Sequence, residues 1–259
     1  MTIIYQDSEM DIRYFLEQRL AFIKQLYLNG VSPFEDRQRK IENEEEPFIP
    51  PYSEDEEPAY LNEWLEADSS LQVLGSACLS MIAASLHLYF KEWEHQLGPA
   101  PGPSLKSEFK NGGWPNGYRA FYRAHGSDRF EDGPFDFVLV EELVLARNSI
   151  QHPDSLIFET PRYSDDALQK MPNPFFVSDR EKNLIEEADG ESRQWLYRPH
   201  IHITTEKFLH AVSQVSAFVK WLEDQGETIL HKRYLERKRQ REIDAGSTPI
   251  WPQPDAFSD

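Results

Sequence analysis

Apolar residues recur at helical spacing in four stretches of the chain, separated by clusters of proline and glycine. Over 8–28, Ile12, Phe15, Leu16, Leu20, Ile23 and Tyr27 fall mostly three or four apart, as on one helix face. Ser8 is placed to cap this helix, Glu9 and Asp11 lie near its positive end, and Gly30 is expected to stop it. A short second helix is expected over 33–44. The longest signal runs over 59–97, and its centre from Leu71 to Phe90 is apolar on nearly every side, which suits the middle of a bundle. The run Gly98-Pro99-Ala100-Pro101-Gly102-Pro103 ends it. Residues 104–134 read as irregular, with a short helix near 117–124. A further helix is expected over 135–151, with Leu139, Leu143, Ala146 and Ile150 on one stripe. It should stop near His152, because Pro153 disfavours helical geometry in the residue before it. A long helix from about 206 to 240, capped by Thr204 or Thr205, places Phe208, Val212, Val215, Val219, Leu222 and Ile229 inward.

Between the last two helices the period changes. Leu156-Ile157-Phe158, Phe175-Phe176-Val177 and Trp195-Leu196-Tyr197 are strand-like, and His200-Ile201-His202-Ile203 alternates with period two. The expected fold is mainly α, with a small β-containing insertion and an N-terminal helical extension. The expected organisation is an extension and acidic linker over 1–58, a helical domain over 59–241 with insertions at 98–134 and 153–204, and an extended tail over 242–259.

Charge alters this picture in one respect. The 259 residues carry a formal charge of −18. Residues 1–70 hold 17 acidic and 6 basic side chains, so this quarter accounts for −11 of it. The stretch 42–58 combines acidic residues with Pro47, Pro50, Pro51 and Pro58, and reads as a linker or flap. An acidic surface repels nucleic acid at long range, so any RNA-directed activity needs a local basic patch. Cys78 is the only cysteine, which excludes a disulfide within the chain and a cysteine-rich zinc site. The first residues lack the basic-then-apolar pattern of a signal peptide. Gln72, several serines and His87 within 71–90 favour a buried helix over a membrane span. The expectation is a cytoplasmic protein with no membrane association.

The segment Leu143-Val144-Leu145-Ala146-Arg147-Asn148-Ser149-Ile150-Gln151-His152-Pro153 carries the candidate chemistry. It resembles the HEPN signature, an arginine followed by a polar residue with a histidine a few positions on, at the end of a bundle helix. The resemblance covers about 60–97, 135–153 and 205–240. It implies a HEPN-like four-helix bundle that often dimerises through the motif helices. Many such proteins are metal-independent endoribonucleases of toxin or defence systems; others bind nucleotides or RNA, or are structural only. The residue types suit RNA cleavage by the 2′-hydroxyl. Imidazole exchanges protons near neutral pH, and a guanidinium clamps phosphate and offsets charge in the transition state. Asn148 and His152 are four apart on one helix face, so Asn148 is placed to orient the ring. Arg147 and His152 lie about 140° apart around an ideal helix. They converge if the helix unwinds at His152, or if a second copy supplies one of them. Against this stands a bland reading, in which His152 caps the helix and Arg147 pairs with a surface carboxylate.

The stretch 231–241 supplies the basic patch that an acidic ribonuclease needs, through Lys232, Arg233, Arg237, Lys238, Arg239 and Arg241. Its alternative role is to offset the helix dipole. Lys106, Lys110, Arg119, Arg123 and Arg129 are expected to add to it, with Trp114, Tyr118 and Tyr122 available for base stacking. His200 and His202 share a strand face and could bind a metal with His210 near in sequence, although a structural role fits better. His87 and His95 read as bundle or surface histidines. The function expected is a metal-independent endoribonuclease, requiring no cofactor, with RNA as substrate, a second copy as partner and a cognate antitoxin or regulatory protein. The alternative is a non-catalytic helical interaction or nucleotide-binding module.

Overall fold

The structure is a computed structural model, and it describes residues 11–52, 58–127, 130, 133–153, 160–187 and 198–246. Among them the fold is mainly α, and no named strand occurs. The elements are α1 (Ile12–Glu42), α2 (Leu61–Leu97), α3 (Lys106–Ala124), α4 (Phe137–Gln151), α5 (Asp165–Lys170), α6 (Asp179–Glu187) and α7 (Thr205–Gly246).

α1 begins at Asp11, whose carboxylate accepts the Tyr14 N–H at 2.8 Å. It runs past Gly30, its expected stop, and on through Pro33, so that the short second helix expected over 33–44 is its continuation, ending at Glu42. Proline inside a helix costs about 3 kcal/mol. The stripe Leu16, Leu20, Ile23, Tyr27 and Val31 outweighs that, because each buried side chain returns about 1.5–3 kcal/mol. Gly30 is there for approach rather than termination: a Cβ on it would lie 2.5 Å from Leu74 of α2. Phe15, placed on the inner face by its spacing, is exposed instead. Ser8, the expected cap, lies outside the described residues.

α2 runs antiparallel to α1, tied to it by Arg37 to Glu66 at 3.1 Å and by the Trp64 indole donating to Glu42 at 2.9 Å. It is the central helix. Cys78, Leu79, Ile82, Leu86, Tyr89, Phe90 and Trp93 join one core with α1, α3, α4 and α7. Its apolar stretch is long enough to cross a membrane by length and composition, and 56% of that window is buried within the protein.

Residues 104–134 are more helical than their composition suggests. α3 is two helices joined at a kink, where Gly113 takes φ 75° and ψ 175°, a conformation that releases the chain from the first helix before Pro115 starts the next. Phe109, Tyr118, Phe121 and Tyr122 then pack an aromatic cluster onto Phe90, with Tyr118 stacked on it at 4.5 Å. α7 is entered through Thr204, whose hydroxyl accepts the Lys207 N–H at 3.2 Å, and all six residues expected on its inner stripe are buried.

The expected strands resolve differently. Leu156-Ile157-Phe158 and Trp195-Leu196-Tyr197 lie outside the described residues. Phe175-Phe176-Val177 forms bends, because its amides at 175 and 176 go to a side chain, not to a neighbouring strand. His200-Ile201-His202-Ile203 keeps its alternation, with both isoleucines buried, but makes a single antiparallel bridge, Arg162 to His200.

Candidate functional site

α4 positions the motif. Asp136 caps its start, accepting the N–H groups of Val138 at 2.9 Å and Leu139 at 3.2 Å. Leu139, Leu143 and Ala146 hold its inner face in the core. Its last hydrogen bond runs from the His152 N–H to the Asn148 carbonyl at 3.0 Å. At His152 the backbone leaves helical geometry, with φ −128° and ψ 62°, just ahead of Pro153 as the sequence suggests.

Three motif side chains are thereby set at one end of the bundle. Arg147 is half-buried, and its Nη1 donates to the Asn148 Oδ1 at 2.9 Å. Its Nε is shielded from solvent without a hydrogen-bond partner. Asn148 and His152 are exposed. Asn148 thus holds the guanidinium, whereas its spacing suggested that it would hold the imidazole. Among the described residues no hydrogen bond joins the side chains of Arg147 and His152.

Asn148 opens onto a cleft of about 110 Å³ formed where α3 meets α4, with Glu141, Lys170 and Trp114 among its walls. Glu141 accepts the Asn116 carboxamide N–H, and the Lys170 ammonium donates to the Asn111 carbonyl at 3.3 Å. Trp114 also stacks on His87 of α2, with centroids 4.9 Å apart and planes 15° from parallel. His87 makes no hydrogen bond among the described residues and is half-buried. Burial lowers its pKa first, and the Lys91 and Arg147 charges add to that against the opposing pull of Glu94. The His87 imidazole is therefore held toward its neutral form against the Trp114 indole, with the Arg147 charge near enough to act on it. Sequence reasoning gave His87 no role, because its spacing on α2 does not reveal its neighbours on α3 and α4.

Behind the motif lies a second polar centre that spacing alone could have flagged. Glu142 follows Leu139 by three and precedes Ala146 by four, a carboxylate at a core position of an apolar helix. Its Oε1 accepts the Tyr163 hydroxyl at 2.7 Å and the N–H groups of Phe175 at 2.6 Å and Phe176 at 2.9 Å. These bonds fasten the segment after the motif onto α4. The Ser149 hydroxyl adds a fourth link by accepting the Ser164 N–H at 3.4 Å.

Among the described residues, His200 and His202 are held by protein groups rather than gathered with further ligands. The Arg162 Nε donates to the His200 Nε2 at 3.1 Å, and its Nδ1 meets the nearly buried Glu181 at 2.8 Å. Both ring nitrogens are thus occupied by protein. His202 is more than half shielded, and burial lowers its pKa. Among the described residues no three His, Cys, Asp or Glu side chains converge.

The basic stretch occupies the end of α7, and from Tyr234 to Asp244 every residue is exposed. That length of helix projects about 16 Å beyond the packed region. Lys232, Arg237, Lys238, Arg239 and Arg241 all face solvent. Arg233 is different: its Nη1 donates to the Leu97 carbonyl at 2.6 Å and its Nη2 to the His125 Nδ1, so it caps the end of α2. Of the other expected contacts, Lys106, Lys110 and Arg123 are exposed, Arg119 lies 5.1 Å over the Phe137 ring, and Arg129 falls outside the described residues. Tyr118 and Tyr122 are buried in the core and present no face to a base; Trp114 is the aromatic that reaches the cleft. Comparison with protein-family models, curated proteins and solved structures finds no match to this chain.

Proposed function

We propose that this chain is a metal-independent endoribonuclease of the HEPN type, built on a HEPN-like four-helix bundle and acting in the cytoplasm as a toxin or defence effector. The observation that carries the reading is the end of α4. There Arg147 is held by Asn148, and the helix unwinds so that His152 stands free at its tip. Arg147 would bind the scissile phosphate and offset its developing charge, and His152 would transfer the proton of the 2′-hydroxyl. Asn148 positions the guanidinium. The exposed basic end of α7 gives an acidic protein a dense surface on which to track phosphates.

The separation of His152 from Arg147 favours a second reading, a non-catalytic module that binds RNA or a nucleotide through Arg147, Asn148 and the adjoining cleft. One experiment divides them. Purified protein in excess EDTA is incubated with bulk RNA, and the new ends are analysed. The enzyme reading expects cleavage with 2′,3′-cyclic phosphate or 3′-phosphate ends, falling about 10²–10⁴-fold in His152→Ala and comparably in Arg147→Ala. RNA binding without cleavage would establish the module instead. Mixing Arg147→Ala chains with His152→Ala chains restores activity if the motif helices of two copies share one cleft, and restores none if each chain completes its own site.

A further inference from the structure

The cleft between α3 and α4 holds polar groups that the motif chemistry does not use. Glu141, Leu145 and Asn148 line it and lie three or four apart, on one face of α4, and His152 follows Asn148 by another four. Three side chains here are not saturated. Glu141 accepts the Asn116 carboxamide N–H on its Oε1, and its second oxygen makes no hydrogen bond among the described residues. Asn148 gives its Oδ1 to Arg147, and its own N–H groups make none among them either. Lys170 donates to the Asn111 carbonyl and has two further ammonium hydrogens. Trp114, Leu145 and Met171 supply apolar lining between these groups.

We infer that this cleft takes a cytosine base, that of a nucleotide whose 3′-phosphate is held by Arg147. Size selects a single ring. A sealed cavity of about 150 Å³ takes one benzene molecule, so a cleft of about 110 Å³ that opens to solvent suits a pyrimidine with one edge left in water and is too small for a fused purine. Hydrogen bonding then selects between the pyrimidines. Cytosine presents an amino donor at N4, which a carboxylate accepts, beside acceptors at N3 and O2. Glu141 takes the amino group, and Lys170 and Asn148 have N–H groups for the two acceptors. In the same pose uracil turns its O4 toward the carboxylate, acceptor against acceptor, and a site built to hydrogen-bond one group rejects the analogue that lacks it. Length fits as well. Seven residues of helix set Asn148 about 10 Å along α4 from Glu141, comparable to one nucleotide from its amino edge to its 3′-phosphate. The inference rests on the part of the functional reading that puts phosphate on Arg147, and adds to the ribonuclease a preference for cleaving on the 3′ side of cytidine.

The test measures binding by the full chain, apart from any cleavage. Isothermal titration calorimetry in EDTA compares 3′-CMP, 3′-UMP, 3′-AMP and inorganic phosphate. The 3′-CMP should bind about tenfold tighter than each of the others, the scale on which one well-made base contact discriminates. In Glu141→Gln the carboxamide oxygen still accepts from Asn116 while its N–H group faces the base, so the preference should vanish or turn toward 3′-UMP. Leu145→Trp fills the cleft and should reduce 3′-CMP to the affinity of phosphate, with unchanged helical circular dichroism. Equal affinity for 3′-CMP and 3′-UMP, tighter binding of 3′-AMP, no nucleotide binding at millimolar concentration, or a preference unchanged in Glu141→Gln overturns the proposal. The ribonuclease reading is judged separately. RNA cut without regard to cytidine keeps that reading and overturns this one, whereas a preference for 3′-CMP in a chain that cuts no RNA upholds the base site and removes the enzyme.

Discussion

Replacing Glu142 tests how the segment after the motif is held. Its Oε1 is acceptor for three donors at 2.6–2.9 Å, two of them backbone N–H groups with no alternative strand to bond. Glu142→Ala leaves all three without a partner. A buried donor left unsatisfied costs about 1–3 kcal/mol, so the loss should be about 3–6 kcal/mol, partly relieved where solvent reaches Phe175. That is a large share of a stability of about 5–15 kcal/mol. Glu142→Gln keeps a carbonyl oxygen in the same place and no longer buries a charge. It should therefore lie within about 1 kcal/mol of the parent at neutral pH. The pH dependence supplies a second arm. Burial lifts the Glu142 pKa above the usual glutamate range, and the bonds from Phe176, Phe175 and Tyr163 pull it back without cancelling the lift. An acid with a raised folded-state pKa contributes its full stability while protonated, below the unfolded value, and loses it as pH rises through the raised one. Glu142→Gln should flatten that decline, and only in part, because burial raises Glu223 in the same direction. Urea denaturation across that window, with amide exchange at Phe175 and Phe176, measures both. Equal losses in the alanine and glutamine variants, or an alanine loss under about 1 kcal/mol, would refute the assignment of Glu142 as the acceptor that fastens this segment.

Two further outcomes separate basic residues that look alike in sequence. Arg233→Ala removes the cap on the Leu97 carbonyl and should cost about 1.5–3 kcal/mol in thermal unfolding, whereas Lys232→Ala one residue earlier should cost under about 0.5 kcal/mol. Reversing charge at Arg237, Lys238 and Arg239 should leave stability nearly unchanged, weaken RNA binding and flatten its salt dependence in filter binding. Unchanged binding would show that this end of α7 serves the helix alone.

By itself the sequence determined the helical elements that carry long apolar stripes. α4 lies where its periodicity puts it and ends at His152 because Pro153 is a local restriction that no packing had to supply, while α7 starts at its expected cap but runs on to Gly246, past the expected end near 240. Local signals misled where tertiary burial was stronger. Gly30 and Pro33 are helix breakers in isolation, yet α1 runs through both because its inner stripe is buried along α2. The Gly-, Trp- and Tyr-rich stretch 104–134 reads as irregular apart from a short helix near 117–124, and the helix extends back to Lys106 once its aromatics find Phe90. The candidate site divides in the same way. The motif residues and their place at a helix end follow from spacing. Which groups they meet does not, because Trp114, His87 and Glu141 come from three helices and are brought together by packing alone. Spacing could not foresee that Arg233 faces inward while its neighbours face solvent, nor that Asn148 turns to Arg147 and not to His152. Periodicity tells which face of a helix is apolar. Only the fold decides which apolar faces are covered, and on α2 it leaves one open.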